Sequence, residues 1–302
     1  MVQRTEERRA GFNCVRLANQ ALSLWVTRSV GPRIIGLALH GGENLLAVLP
    51  DEKVECPGVG TFSFRGGHRL WYAPEDLGTT YLPDDAPVGI EELPGGIAVT
   101  QAVEKQTGIQ KSMAITLPYQ CAQVVIDHTL HNQGTETVDL APWAITQLKP
   151  RGIGILPQAQ GMVDEEGLLP NRQITLWPYT KMNSPHIQWG DEFLFVMANM
   201  TEGAFKVGFP NPRGWLAYGV DGTLFVKEAI YDASANYYDH GSSSECYCNP
   251  RFIELETLGP RTSLAPGAQV THRETWLVWE GVSVEADKDK VQALIEHLCT
   301  GC

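Results

Sequence analysis

Apolar and polar residues alternate with a period close to two along most of the chain. In the segments 112–117 (SMAITL) and 124–130 (VVIDHTL), β-branched residues are frequent and nearly every second position is apolar. Similar segments begin near residue 11, and Gly31-Pro32 and Gly41-Gly42 mark turns between them. The pattern predicts a mainly β protein, built as one large antiparallel β-sandwich.

One segment near the end of the chain has helical periodicity instead. Val291, Leu294, Ile295 and Leu298 fall at positions i, i+3, i+4 and i+7. Asp287 precedes them and is a suitable N-cap. We therefore expect one short C-terminal helix from Asp287 to Leu298.

The stretch from Arg151 to Asp191 is irregular and rich in turns. It contains Trp177, Tyr179 and Trp189. A long excursion of this kind in a sandwich frames a site or packs as a lid over one sheet, and the sequence favours neither interpretation.

Composition narrows the classes of protein and partner. The chain has 302 residues, of which 43% are hydrophobic, enough for a sizeable core. We see no linker or internal repeat and predict a single domain over residues 1–302.

The formal net charge of −12 argues against nucleic acid and anionic membranes as partners. The chain has no apolar run of roughly 18 residues and no secretory h-region, so we expect a cytoplasmic protein.

Metal and cofactor motifs are weak or missing in the sequence. The seven cysteines are irregularly spaced, which favours free thiols in a reducing compartment. The pairs Cys246/Cys248 and Cys299/Cys302 lack a second set of paired ligands at zinc-site spacing. Phosphate-loop and dinucleotide-binding motifs are also missing, so we expect no metal and no cofactor.

Candidate chemistry concentrates in three clusters, and residues 64–75 (FRGGHRLWYAPE) form the densest. This stretch is interpreted either as the wall of a small-molecule site or as a well-tied turn between two strands. Arginine, histidine, tryptophan and glutamate together suit sugar recognition, because aromatic rings pack on pyranose C–H faces while polar groups bind hydroxyls. The clusters comprise Arg65, His68, Arg69, Trp71 and Glu75; Trp143, Gln147 and Lys149; and Glu245, Tyr247, Asn249, Glu254 and Glu256.

Glu254 and Glu256 are separated by one residue in a predicted strand, so they point to the same face. Repulsion between two carboxylates raises the pKa of one of them, as a general acid or base requires. The alternative is an ordinary solvent-exposed polar face.

Three segments resemble the aldose 1-epimerases, or galactose mutarotases. Near the end of the chain, Leu255-Glu256-Thr257, Leu264-Ala265-Pro266-Gly267 and Thr275-Trp276 match the family's terminal motifs in order. The segment GPRIIGLALHGGENLLAVL resembles the family's opening hairpin, and LHNQGTETVDLAPWAITQL resembles its middle strand pair. The resemblance implies the large sandwich of the galactose mutarotase-like superfamily, with a sugar site on the concave face of one sheet. The stretch GGHRLWYAPE resembles an uncharacterised branch more than the true mutarotases.

The resemblance also implies residue roles. Glu256 matches the catalytic glutamate and would be the base on the anomeric hydroxyl. Trp143 occupies the place of the catalytic histidine, so His68 is the candidate for a relocated acid. The residues expected to bind the sugar, a small-molecule carbohydrate partner, are Arg65, Arg69, Trp71, Glu75, Trp143, Lys227, Tyr247 and Glu254.

Three functions stay open at this point. The first is an epimerase or mutarotase acting on a free sugar or sugar acid. The second is a sugar-binding protein that has lost the acid, which Trp143 favours. The third is an accessory domain of a lyase or hydrolase.

Several residues also have structural interpretations: His68 as a tie for a Gly66-Gly67 turn, Arg69 as a partner of Glu75, the tryptophans as core, and Lys227 as a solvated side chain. The sequence does not give the oligomeric state.

Overall fold

The computed structural model describes residues 1–299. Of the CTGC pair, Cys302 lies outside the described residues. The elements within residues 1–299 are β1 (Gln3–Arg9), β2 (Phe12–Ala18), β3 (Leu22–Thr27), β4 (Arg33–Leu39), β5 (Val48–Cys56), β6 (Gly60–Ala73), β7 (Gly89–Leu93), β8 (Gly96–Thr100), β9 (Ile109–Thr116), β10 (Gln123–Asn132), β11 (Val138–Leu148), β12 (Ile153–Pro157), β13 (Thr175–Leu176), β14 (Ile187–Gln188), β15 (Phe193–Met197), β16 (Phe205–Phe209), β17 (Trp215–Val220), β18 (Thr223–Ala229), α1 (Tyr238–Gly241), β19 (Ser244–Cys248), β20 (Ile253–Leu258), β21 (Thr262–Leu264), β22 (Gln269–Glu280) and α2 (Lys288–Cys299).

The strands form two large antiparallel sheets, which confirms the predicted sandwich. Sheet I has twelve strands in the order β1-β2-β3-β4-β6-β11-β20-β19-β16-β13, with β5 paired to β6 and β21 to β11. Sheet II has ten strands in the order β14-β15-β12-β17-β18-β22-β10-β9-β8-β7. The main apolar core contains side chains from both sheets, including Val207 and Leu255 of sheet I and Phe225 and Trp276 of sheet II.

The alternation of apolar and polar residues determines which face of each strand is buried. In β10, every second residue from Val124 is buried and the residues between them are partly exposed. The central strands of sheet I differ, since all six residues of β20 (Ile253–Leu258) are buried. Side chains on both faces of sheet I are therefore covered at this point, and only one of these faces packs on sheet II.

The C-terminal helix begins as the sequence predicts. The Asp287 carboxylate accepts hydrogen bonds from the backbone N–H groups of Asp289 and Lys290, each at 3.0 Å, which is the geometry of an N-cap. Val291 is buried against sheet II, in a cluster that includes Ile155. Within residues 1–299, no helix combines the length and the apolar character needed to cross a membrane.

A buried ion pair within sheet II is hydrogen-bonded to sheet I. Lys227 of β18 and Glu274 of β22 are both fully buried, and Lys227 Nζ lies 2.9 Å from the Glu274 carboxylate. The same ammonium donates to the carbonyl oxygens of Ala144 and Leu255, both at 2.9 Å, and to Thr146 Oγ1 at 3.0 Å. One charged group of sheet II therefore satisfies three acceptors of sheet I.

Three histidines are buried beside this ion pair. His68 Nε2 lies 2.7 Å from His128 Nε2, and His68 Nδ1 lies 2.9 Å from Thr146 Oγ1. His272 Nε2 lies 2.7 Å from Thr257 Oγ1. Burial lowers the pKa of all three histidines, that of His272 to about 4. They are therefore neutral in the folded protein near pH 7.

Replacement of the buried lysine should destabilise the fold strongly. Lys227→Met leaves the Glu274 carboxylate buried without a cation, and we expect the free energy of unfolding to fall by about 3–5 kcal/mol in urea titrations. The control is Lys149→Met, because Lys149 pairs with the exposed Glu43 at the surface, where such pairs contribute about 0–1 kcal/mol. Equal stability of the two variants would contradict the proposed importance of the buried pair.

The buried histidines should also make the fold sensitive to acid. A histidine in the unfolded chain titrates near pH 6.5, above its pKa in the fold, so its contribution to stability is complete above that pH and is lost as the pH falls toward 4. We expect His272→Gln to reduce the slope of unfolding free energy against pH by up to about 1.4 kcal/mol per pH unit. His131→Gln, on the partly exposed face of the same strand β10 that carries His128, is the matched control for a histidine-to-glutamine change. An unaltered slope in His272→Gln would show that this histidine is not the acid-sensitive group.

Candidate functional site

The face of sheet I that points away from sheet II carries polar side chains in two adjacent rows. Because β6, β11, β20, β19 and β16 are neighbours, residues opposite each other in the antiparallel register share a face. The first row is Gln147, Glu254, Tyr247 and Lys206, and the second is Arg69, Ile145, Glu256, Glu245 and Gly208.

A cavity of about 350 Å³ lies over these rows, within the range of small-molecule sites. Sheet I supplies its floor, the chain after β6 supplies Glu75 and Tyr81, and the irregular segment from Arg151 to Asp191 supplies Trp177 and Tyr179. The lining residues are Phe64, Arg69, Trp71, Glu75, Tyr81, Trp143, Ile145, Trp177, Tyr179, Ala204, Lys206, Tyr247, Phe252 and Glu254. Two of the three aromatic residues noted in this segment, Trp177 and Tyr179, therefore form part of the cavity wall. The third, Trp189, does not line the cavity, and its indole N–H donates to the carbonyl oxygen of Met182.

Glu254 is the glutamate of β20 that lines the cavity. Its Oε1 accepts from Arg69 Nη2 at 3.2 Å and from Gln147 Nε2 at 2.9 Å. Burial raises the pKa of Glu254 to about 7; Arg69 opposes the rise and the neighbouring Glu256 adds to it. Near neutral pH this carboxyl group is therefore present in both protonation states.

Glu256 lies on the same face but is fully buried, whereas Glu254 is 7% exposed. Its Oε2 accepts from the Trp143 indole N–H at 2.7 Å and from Lys206 Nζ at 3.1 Å. Both donors line the cavity, so Glu256 lies directly behind its wall.

Lys206 of β16 is held by charges and by aromatic rings. Its Nζ lies 2.7 Å from Glu245 Oε2 and 3.1 Å from Glu256 Oε2. The same nitrogen lies 4.6 Å from the ring centroids of both Trp143 and Trp177, at cation–π distance. Burial lowers the pKa of Lys206, but the two carboxylates raise it more, so the net pKa lies well above the usual value. The side chain is an ammonium ion at neutral pH.

Aromatic side chains form the remaining walls of the cavity. The ring centroids of Trp71 and Trp143 are 5.5 Å apart, and those of Tyr179 and Tyr247 are 6.3 Å apart. The Arg69 guanidinium lies 4.2 Å from the Trp71 ring centroid. Flat apolar faces therefore alternate with charged groups around the cavity.

Seven of the ten site residues expected from the sequence lie together. Six line the cavity and the seventh is in contact with two lining residues. The six are Arg69, Trp71, Glu75, Trp143, Tyr247 and Glu254, and the seventh is Glu256. Arg69 pairs with Glu254 and not with Glu75, whose carboxylate accepts from the Tyr81 hydroxyl.

The prediction that His68 shares the cavity with Glu256 and Trp71 is wrong. Arg69 and Trp71 point out from sheet I, so His68, one residue before Arg69, points toward sheet II. Its side chain is fully buried there against His128. His68 contributes to the packing between the sheets and makes no contact with the cavity.

Gly66 and Gly67 lie inside strand β6 and do not form a turn between strands. Both have positive φ, of 84° and 76°, as does Arg65 at 57°. A Cβ atom on Gly66 would lie 2.0 Å from the Ala47 carbonyl oxygen, and one on Gly67 would lie 2.1 Å from that of Ile34. Only glycine fits at these two positions, which form an irregularity where β6 leaves β5 and joins β4.

Arg65 and Lys227 were also expected at the sugar site, and both lie elsewhere. Arg65 forms ion pairs with Asp84 and Asp85 in the chain that precedes β7. Lys227 shares a face of β18 with Phe225, which belongs to the core between the sheets, so its side chain points to sheet I and is neither solvated nor in the cavity.

The sequence reasoning missed Lys206 and Tyr81 as cavity residues. Lys206 lies in the segment FKVGF, where all five residues are buried. A lysine in an otherwise apolar strand is a recognisable signal, because burial of an ammonium ion requires charged partners. No comparable signal identifies Tyr81, which reaches the cavity from a loop.

One group of buried side chains has the composition of a metal site. His68, His128 and Glu274 each offer a ligand atom, and these atoms lie within 4.8 Å of one another. The Glu274 carboxylate is already paired with the Lys227 ammonium and also accepts from the Trp276 indole N–H at 2.9 Å. A lysine thus occupies the position of a cation, and the group does not fit a metal ion.

Comparison with solved structures shows a shared fold at low identity. A putative aldose 1-epimerase from Klebsiella pneumoniae is 10% identical, with a TM-score of 0.58, 96% of this chain covered and 84% of that one. A galactose mutarotase-like protein from Lactobacillus casei is 9% identical, with a TM-score of 0.55, 88% of this chain covered and all of that one.

A TPR-domain containing protein from Parabacteroides distasonis is 14% identical, with a TM-score of 0.60 over 92% of this chain; the chain spans half the length of that structure. No protein-family model and no curated protein matches the sequence. At these identities the structures establish the architecture. The chain has the galactose mutarotase-like β-sandwich fold.

Proposed function

We propose that the cavity on sheet I binds a free monosaccharide and interconverts its two anomers, as an aldose 1-epimerase does. The observation that carries this proposal is Glu254, a carboxyl group with a pKa of about 7 in an aromatic-walled cavity. The fold shared with aldose 1-epimerase and mutarotase-like structures supports it.

The cavity has the chemistry that a pyranose requires. Trp71, Trp177 and Tyr179 present ring faces or edges on which sugar C–H groups pack. Arg69 and Lys206 are hydrogen-bond donors, and Glu75 is an exposed carboxylate at the rim. Directional polar groups among apolar walls orient a small polyol.

Anomer exchange requires a base that removes the proton of the C1 hydroxyl. The resemblance to aldose 1-epimerases assigns this role to Glu256. We assign it to Glu254, because Glu254 lines the cavity while the Glu256 carboxylate is buried behind Trp143 and Lys206. A base with a pKa near the working pH exchanges a proton efficiently in both directions.

The second candidate is a sugar-binding protein without catalysis. It is favoured by one observation: within residues 1–299, the cavity lining includes no histidine, and Trp143 occupies the position where the resemblance places one. Binding of aldoses without acceleration of anomer exchange would support this second function.

Removal of the proposed base should abolish anomer exchange without abolishing binding. We expect Glu254→Gln to lower kcat by about 10²–10⁴-fold, as loss of a general base does, in NMR exchange measurements on a panel of aldoses. Because the base must be ionised, kcat/KM of the wild type should rise with pH through about 7. Glu256→Gln is the matched comparison: a larger loss there than in Glu254→Gln would transfer the role of base to Glu256.

The aromatic wall should contribute to sugar affinity. Trp177→Ala removes a ring that lines the cavity and should raise the Kd by about 2- to 12-fold, corresponding to about 0.5–1.5 kcal/mol. Trp189→Ala is the control, because Trp189 lies in the same irregular segment outside the cavity lining. Titration calorimetry with the best aldose substrate measures both values. Equal effects of the two variants would contradict placement of the sugar in this cavity.

A further inference from the structure

Ring opening of an aldose needs a proton donor as well as a base. As the C1–O5 bond breaks, negative charge develops on the ring oxygen O5 and must be neutralised. The cavity lining offers Lys206, Arg69, the hydroxyl groups of three tyrosines and the indole N–H groups of three tryptophans as donors, of which the indoles donate hydrogen bonds but no proton.

Most of these donors are unsuited to proton transfer. Arg69 donates to Glu254 through Nη2, and its guanidinium group does not transfer a proton, because guanidinium is not deprotonated in proteins. Burial keeps the hydroxyl groups of Tyr81, Tyr179 and Tyr247 neutral, and a neutral hydroxyl offers less stabilisation to a developing alkoxide than a cation does. Lys206 is then the donor that combines a positive charge with a transferable proton.

The hydrogen bonds of Lys206 leave one proton available. An ammonium group has three N–H donors. Nζ donates a hydrogen bond to Glu256 Oε2 at 3.1 Å and forms an ion pair with Glu245 Oε2 at 2.7 Å, and within residues 1–299 the structure gives no other acceptor for its N–H groups. The side chain lines the cavity, between the faces of Trp143 and Trp177.

Lys206 and Glu254 line the same cavity, and Tyr247 lies between them in the row across sheet I. They belong to the same row across sheet I, on β16 and β20, with only β19 between those strands. Neighbouring strands lie about 4.8 Å apart, so the two backbones are about 10 Å apart. The C1 hydroxyl oxygen and O5 are both bonded to C1, so a base and an acid that line one cavity can serve both oxygen atoms of a single pyranose.

We propose that Lys206 is the proton donor to the ring oxygen and that Glu245 and Glu256 position it. Lys206 takes the role that the resemblance gives to a histidine, and within residues 1–299 the cavity lining includes no histidine. The inference rests on the proposed anomer exchange. The Glu254 carboxylate takes the C1 hydroxyl proton, and the O–H electron pair forms the C1=O bond. The C1–O5 electron pair moves to O5, which receives a proton from Lys206.

The reverse steps close the ring. After rotation about C1–C2, the O5 hydroxyl attacks the other face of the aldehyde and returns its proton to the Lys206 amine. The Glu254 carboxyl group returns its proton to O1. The products are the other anomer and the starting protonation states, so the cycle consumes no further reactant.

The first test separates catalysis from binding. We expect Lys206→Met to reduce kcat at least 100-fold in NMR anomer exchange, with aldose still bound in calorimetry. Because Lys206→Met leaves two buried carboxyl groups without a cation, the double variant Lys206→Met/Glu245→Gln provides a second, less charged background, and the same loss is expected there. Lys149→Met, which removes a surface lysine paired with Glu43, should keep the wild-type rate.

The second test uses a signature that a structural role would not produce. Lys206→His replaces the ammonium with an acid whose unperturbed pKa is about 6.5. We expect it to recover part of the rate with a bell-shaped profile: the rate rises as Glu254 ionises and falls as the imidazole deprotonates, so the kcat profile gains a descending limb that the wild type lacks.

The experiments distinguish failure of the role of Lys206 from failure of the proposed function. Wild-type protein that accelerates anomer exchange, with a rate unchanged within threefold in Lys206→Met or the double variant, would overturn the role of Lys206 alone. A Lys206→His profile without a new descending limb would do the same. Wild-type protein that accelerates no aldose would overturn the proposed function, and the role of Lys206 with it.

Discussion

The Lys206 ammonium, at 2.7 Å from Glu245 and 3.1 Å from Glu256, is the interaction on which the cavity depends. Burial and the neighbouring Glu256 raise the pKa of Glu245 well above its usual value, and the Lys206 ammonium offsets part of the repulsion between the two carboxyl groups. The same cation lies against Trp143 and Trp177. It therefore joins the floor of sheet I to the irregular segment that covers it. Without this contact, both the carboxyl groups and the aromatic wall would lose their common anchor.

Sheet I carries charged groups on both faces, and strand alternation keeps the two sets separate. Arg69 and Glu254 point outward to the cavity, whereas His68 points to sheet II, where Lys227 and Glu274 form a second ion pair. The inner set has its acceptors and donors largely satisfied, because the Lys227 ammonium contacts three oxygen atoms of sheet I in addition to the Glu274 carboxylate. Within residues 1–299, the outer set lines the cavity and includes N–H groups of Arg69 without a hydrogen-bond acceptor and a carboxyl group of raised pKa. The inner set therefore serves the fold, and the outer set is available for chemistry.

Much of this arrangement is predictable from the sequence, because period-two alternation and the Asp287 cap are local signals. The E-x-E pair and the tryptophans of the site are local signals as well. The position of His68 was not predictable, because its face depends on the register of β6 past the positive-φ residues Gly66 and Gly67. The position of Lys227 is hidden for a related reason: a lysine in a strand indicates solvent or ligand, whereas its partner Glu274 lies 47 positions later in sequence and meets it only across paired strands. Lys206 was missed because its two carboxylate partners come from strands far along the chain.

A crystal structure with a bound aldose is the most direct test of the cavity as a sugar site. The expected result is a single pyranose over the Glu254–Lys206 row, with its C1 hydroxyl within about 2.6–3.2 Å of the Glu254 carboxylate and its ring oxygen equally close to Lys206 Nζ. An aldose bound at another surface, or a cavity that stays free of sugar at saturating concentration, would contradict the assignment.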